Sequence, residues 1–197
     1  MATTTITSHP TQVCQKIQSE FPGLIELRPQ FRGETSLRLL DAEKIRDISV
    51  FLRDKLGYDY LIDISSVDHE NEEPRFEIVY EHYSLSAHDH LRLSCRVSEV
   101  NPELPTISDI FPTANWHERE IYDMMGIKFR NHPDLRRILM WEGYPHFPLR
   151  KDFPLEGLPV HMPDGHFTDA APMEGGPFVT STSDFAHEAE PRSRTPR

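Results

Sequence analysis

The sequence is short of cysteine, long apolar runs and basic charge, and each shortage removes a class of function. Its 197 residues hold two cysteines, Cys14 and Cys95, far apart in the chain. They form no CxxC pair and no four-thiolate set for an iron–sulfur cluster or a structural zinc. No apolar run approaches the roughly 20 residues that a membrane-spanning helix needs. Thirty-two Asp and Glu against 21 Lys and Arg give a net charge of −11, which disfavours broad nucleic-acid binding. The opening residues, Met1 to Ser8, have neither the charged start and apolar core of a signal peptide nor the arginines of a mitochondrial presequence. GxGxxG, P-loop and GxSxG patterns are missing too, so nucleotide binding and serine hydrolysis have no sequence warrant. These shortages predict a soluble, cysteine-poor, cytosolic protein.

Proline, by contrast, is plentiful and unevenly placed. Of the 17 prolines, Pro10, Pro22, Pro29 and Pro74 lie in the first half, and the rest follow from Pro102 onward. The length suits one domain with a real core. The proline gradient predicts a compact front over 10–140 and an extended, proline-rich tail over 141–197. Alone, such a tail cannot bury enough apolar surface to offset its ordering entropy. It still carries Trp141, Tyr144, Phe147, Phe153, Phe167 and Phe178, which suggests ordering against another protein, with the last 40 or so residues disordered in isolation.

Periodicity organises the front. Val13, Ile17 and Phe21 mark one stripe of a helix that Pro22-Gly23 stops. Leu24–Leu27 and Ser36–Leu40 read as strands around a turn holding Gly33. Asp41 suits an N-cap, Ala42, Ile45, Ile48, Phe51, Leu52 and Leu56 form an amphipathic face, and Gly57 suits a C-terminal cap. Three strands follow, over 60–65, 75–83 and 90–97; in the last, Leu91, Leu93, Cys95 and Val97 alternate with Arg92, Ser94 and Arg96. A period of two describes a sheet with one buried face. The fold class is therefore α+β, a mostly antiparallel sheet with helices on one face. Asn101–Pro105 is expected to break the sheet, 107–111 to make a brief helical turn, and Ile127–Phe129 a short strand.

The dense chemistry lies between Asn115 and Asp152. Asn115 and Glu118 are spaced for a capping box at the start of a helix running to Met125, with Gly126 ending it. Arg119 and Asp123, at i and i+4, are placed to pair, while Glu118 and Glu120 diverge and do not form a catalytic acid–base couple. A charge-laced helix accounts for these residues without catalysis. The segment has seven basic and six acidic residues, net +1, against −12 for the remainder. Among the 11 histidines, His88 and His90 would share a strand face, and His161 and His166 flank Asp164 in the tail. Solvated or hydrogen-bonded roles are preferred for both pairs over metal binding; His82 has no assigned role.

Within that region the spelling Glu118-Arg119-Glu120-x-x-Asp123-x-x-Gly126, then His132-Pro133-x-Leu135-Arg136-Arg137, then Arg150-Lys151-Asp152-Phe153-Pro154, closely resembles the C subunit of the proton-pumping NADH:quinone oxidoreductase, respiratory complex I. The resemblance covers roughly residues 10–158. It implies a non-catalytic assembly component of the peripheral arm, which passes electrons from NADH through FMN and iron–sulfur clusters to quinone with proton translocation. It further implies that FMN and clusters lie in partner chains, that the chief partners are the homologues of the D and B subunits, and that the complex sits on the cytoplasmic face of a bacterial inner membrane. The signature residues would fix the local fold and present charge-assisted hydrogen bonds, with 150–152 lying along the D subunit. Two alternatives stand beside it: the equivalent component of a membrane-bound hydrogenase or formate hydrogenlyase complex, and, remotely, a solitary metalloenzyme using the histidines.

Overall fold

Alternation of apolar and polar residues builds the sheet directly. In the computed structural model, which describes residues 9–29 and 33–158, β1 (Ile25–Leu27), β2 (Thr35–Leu39), β3 (Tyr60–Asp68), β4 (Phe76–Ser84) and β5 (Asp89–Val97) form one sheet in the order β1-β2-β5-β4-β3. On β4, Phe76, Ile78, Tyr80, His82 and Ser84 all point into the buried face, and Glu77, Val79, Glu81 and Tyr83 lie on the other. All pairings are antiparallel except β2 with β5, where Leu37 lies beside Leu93. The α+β, mostly antiparallel expectation holds.

Three helices supply the other half of the core. They are α1 (His9–Glu20), α2 (Ile45–Leu56) and α3 (Ala114–Met125). Ile17, Ile45, Ile48, Leu52, Ile121 and Met125 join Leu37, Leu39, Ile78 and Leu91 in one buried cluster. Asp41 caps the 3-10 turn Ala42–Lys44 that leads into α2, its carboxylate accepting from Glu43 N–H at 3.0 Å. Gly57 closes α2 in the left-handed conformation (φ 77°), which a side chain disfavours. Cys95 is fully buried in β5, as its alternation predicted.

The structure corrects three local expectations. Glu103–Pro105 does not merely interrupt the sheet: it is β6, paired in parallel with β7 (Lys128–Arg130), because Leu104 and Phe129 have a common buried site to fill. His88 is not on a strand beside His90; it sits in the β4–β5 turn with φ 52°, and β5 begins one residue later. Asn115 lies inside α3 and not at its cap, which falls on Thr113 with no side-chain hydrogen bond. The expected helical turn at 107–111 is present, with Phe111 N–H donating to Ile107 O at 2.9 Å. The tail residues His161, Asp164, His166, Phe167 and Phe178 lie outside the described residues.

Candidate functional site

Helix α3 turns its charges inward. Glu118 is fully buried, where the capping box would have kept it wet. One carboxylate oxygen accepts the Ile107 N–H at 2.8 Å, and the other is bonded to the Thr106 hydroxyl. Burial pushes its pKa up to about 7, against the pull of those two hydrogen bonds. The ring of His132 is buried nearby, its Nε2 donating to Asn115 O at 3.2 Å and its Nδ1 accepting from Asp134 N–H at 3.0 Å, which is the arrangement of a neutral imidazole. Burial lowers the His132 pKa. Pro133, the next residue, is exposed, as is Glu120.

One turn further along, Asp123 is the organising group. The expected Asp123–Arg119 pair does not form. Asp123 instead accepts from Arg137 Nη1 at 2.7 Å and from the successive N–H groups of Ile138, Leu139 and Met140 at 3.0, 2.6 and 2.9 Å. Burial alone would raise its pKa, but those four donors outweigh it and hold the carboxyl below its ordinary value. A sequence-local partner loses here because the 137–140 turn brings four donors to one carboxylate. Arg119 is left to donate to the carbonyls of Arg136 and Arg137, with its guanidinium over the Trp116 ring. Arg136 points outward beside Asp134, both exposed.

Arg137 then pins the irregular segment that follows. Its Nη2 donates to His146 O at 3.2 Å, and its guanidinium lies over Tyr144 and Phe147. Leu149 N–H donates to Met124 O, and Arg150 Nε to Met125 O at 2.6 Å. Residues 141–152, without regular structure, are thus sewn to the C-terminal end of α3. Gly126 permits this approach. It closes α3 with φ 77°, and a Cβ there would come within 2.7 Å of Phe147 and Arg150 atoms. Gly126→Ala is expected to cost about 2–3 kcal/mol, combining left-handed strain with overpacking, measured by urea unfolding of the full chain. A loss of only about 1 kcal/mol, the left-handed strain alone, would mean that the segment moves away freely.

The remaining signature residues converge on Arg75, which no local pattern announces. Buried Arg75 grips fully buried Asp68 through two bonds of 2.7 and 2.8 Å and reaches Glu99 at 2.7 Å and Asp152 at 3.3 Å. Lys151 contributes its backbone N–H to Asp68 at 2.8 Å. The structure therefore makes two clusters: Arg119, Asp123, Arg136 and Arg137 at α3, and Arg150, Lys151 and Asp152 against the β3–β4 hairpin. Glu120 belongs to neither. Thr106 likewise went unmarked by the sequence; an Asp or a Thr at a strand end carries no local signal of a partner so distant in the chain.

Outward from the first cluster opens a cavity of about 330 Å³ lined by Trp116, Arg119, Arg136, Arg137, Ile138 and Glu142. Trp116, in its lining, is 63 % exposed, and Leu139, the residue after Ile138, is 62 % exposed. Among the described residues no group of three or more His, Cys, Asp or Glu is arranged to hold a metal, and no helix is long and apolar enough to cross a membrane.

Residues 39–159 match the family described as respiratory-chain NADH dehydrogenase, 30 kDa subunit. The chain is 53 % identical over 117 residues to the C subunit (form 2) of NADH-quinone oxidoreductase from Rhizobium meliloti (strain 1021), spanning 58 % of itself and 64 % of that relative. It is 43 % identical over 143 residues to the C subunit of NADH-quinone oxidoreductase from Geobacter sulfurreducens, covering 72 % of itself and 88 % of the relative. Among solved structures it is similar to a trypsin-resistant fragment of Nqo5, at 28 % identity and TM-score 0.57 over 64 % of this chain and 98 % of that one. A chain of an archaeal membrane-bound sulfane sulfur reductase shares the fold, at 22 % identity and TM-score 0.64 over 75 % and 87 %.

Proposed function

Because the chain belongs to the family of the 30 kDa subunit of respiratory-chain NADH dehydrogenase, we propose that it is a non-catalytic assembly component of the peripheral arm of an NADH:quinone oxidoreductase. The observation that carries this reading is how the signature charges are used. Glu118, Arg119, Asp123, Arg137 and Arg150 all bond to framework groups of this chain. Charges engaged in this way hold a surface in shape. What they leave outward is Trp116, Arg136 and Leu139, the aromatic, arginine and aliphatic composition of protein interface cores.

In this reading the electrons pass through neighbours. Burial pushes the Cys14 thiol up and that of Cys95 to about 12, so both stay protonated at neutral pH and are poor ligands. FMN and iron–sulfur clusters would then lie in partner chains, the chief contacts being the homologues of the D and B subunits, with the arm on the cytoplasmic face of a bacterial inner membrane. The segment 150–152 would lie along the D subunit, with the exposed leucines on either side of it, Leu149 and Leu155, adding apolar contact.

The test is affinity purification of the tagged full chain from its native membranes, with partners identified by mass spectrometry. The expected result is co-purification of the B and D homologues with NADH:quinone oxidoreductase activity. Recovery of nickel-hydrogenase subunits instead, or of the chain alone with stoichiometric metal, would overturn it.

A further inference from the structure

Arg119 is only 7 % exposed, yet it faces no carboxylate within 4 Å among the described residues. Its bonds go to two carbonyls, at 3.1 and 3.4 Å, and its face to Trp116. Carbonyl dipoles and a ring quadrupole solvate a cation without neutralising it, and a guanidinium buried this far normally has an anionic partner. The uncompensated charge lines the 330 Å³ cavity beside the aliphatic wall of Ile138. Arg137, at the back, has its charge met by Asp123 at 2.7 Å. Arg136, at the rim, is held by Asp134 in an exposed pair of the kind that contributes little and is readily exchanged. Two guanidiniums are thus available to one incoming anion, with Trp116 and Ile138 offering apolar contact next to it.

We propose that this cavity is a socket for a single carboxylate side chain, Asp or Glu, flanked by an apolar residue and presented by a neighbouring protein of the complex. The inference rests on the assembly reading above and names what the surface recognises. Glu142, which also lines the cavity, limits how much negative charge the occupant can carry. Arg119 and Arg136 together offset the single charge of a carboxylate, whereas a doubly charged phosphate would meet about twice the repulsion from Glu142. The carboxylate accepts from Arg136 in the bidentate mode that guanidinium geometry favours. The apolar neighbour covers Trp116, and excluding water there strengthens the ion pair.

A photo-crosslinking p-benzoylphenylalanine at position 136 tests this in the assembled complex, purified through a tag on the full chain. Arg136 is exposed, so its replacement leaves the fold intact. The expected crosslink lies on a neighbouring protein within two or three residues of an Asp or Glu. Arg136→Glu should then lower the share of this chain in the purified complex by roughly tenfold, and changing the crosslinked acid to Lys should restore it. Trp116→Ala should weaken incorporation by about tenfold or more while costing the isolated chain no more than the roughly 1–2 kcal/mol of its contact with Arg119 in urea unfolding.

A crosslink to this chain's own residues beyond 158, to a segment without Asp or Glu, or to nothing in a complex that still contains the chain would overturn the proposal while leaving the assembly reading intact. Loss of the chain from the complex whatever stands at position 136, with no NADH dehydrogenase components recovered, would overturn both.

Discussion

Asp123→Ala is expected to cost about 3–5 kcal/mol of unfolding free energy, because it leaves a partly buried cation and three turn N–H groups without their common acceptor. The carboxylate is fully buried, and Arg137, 13 % exposed, has no other carboxylate within 4 Å among the described residues. In a domain of ordinary stability, about 5–15 kcal/mol, such a loss brings the chain close to unfolding. Asp123→Asn keeps one acceptor oxygen but loses the charge; it should fall between the two. Urea unfolding followed by circular dichroism reads the stability. Hydrogen exchange reads the location: the amides of Ile138, Leu139 and Met140 should lose protection before those of β4 and β5. A loss under about 1 kcal/mol for Asp123→Ala would show that the turn holds itself. The consequence for function is direct, since that turn shapes the wall of the cavity between Arg119 and Arg136. A variant that loosens it should fail in assembly even where the sheet stays folded.

The same residue shows what sequence alone can and cannot read. Leu91, Leu93, Cys95 and Val97 declare a half-buried strand because burial repeats every two residues, and Gly57 and Gly126 declare helix ends because each must adopt the left-handed conformation. These are local facts. The partner of Asp123 is not: the sequence offers Arg119 one helical turn away, and the fold supplies Arg137 and three backbone donors from a turn that no periodicity announces. Glu118 likewise carries a capping-box spacing, yet its oxygens go to Thr106 and Ile107. The parallel β2–β5 pairing and the three-residue β6 escape for a related reason, being non-local and, for β6, too short and proline-bounded to show a period. The family spelling named the charged residues, but it said little about which way each one faces.

Two buried groups should give the chain opposing responses to acid that single substitutions separate. Glu118 has a native pKa of about 7 against an ordinary 4.5, raised by burial. Its contribution to stability is therefore fully present below 4.5 and is lost as pH rises through 7. His82 runs the other way. It is fully buried between Tyr80 and Phe111, neither ring nitrogen has a partner among the described residues, and burial lowers its pKa from 6.5 to about 4. Neutral His82 is intact above 6.5 and destabilises the fold as pH falls toward 4. Each effect is worth about 3 kcal/mol at its limit, and between 4.5 and 6.5 their slopes have opposite sign and nearly cancel. The hydrogen bonds allow Glu118 both states. Ionised, it accepts the Thr106 proton; protonated, it donates to Thr106 Oγ1, and the Thr106 proton turns to Ser108 Oγ, 2.8 Å away. Glu118→Gln removes one response and should leave a chain that weakens by about 3 kcal/mol from roughly pH 7.5 to 4, beyond the general loss from other carboxylates. His82→Phe keeps the ring contacts and removes the other response, so relative to Glu118→Gln its stability near pH 4 should be higher by roughly 6 kcal/mol than the same comparison near pH 7.5. Urea unfolding of both variants across that range decides the matter. Parallel curves would mean that neither group titrates as its burial demands.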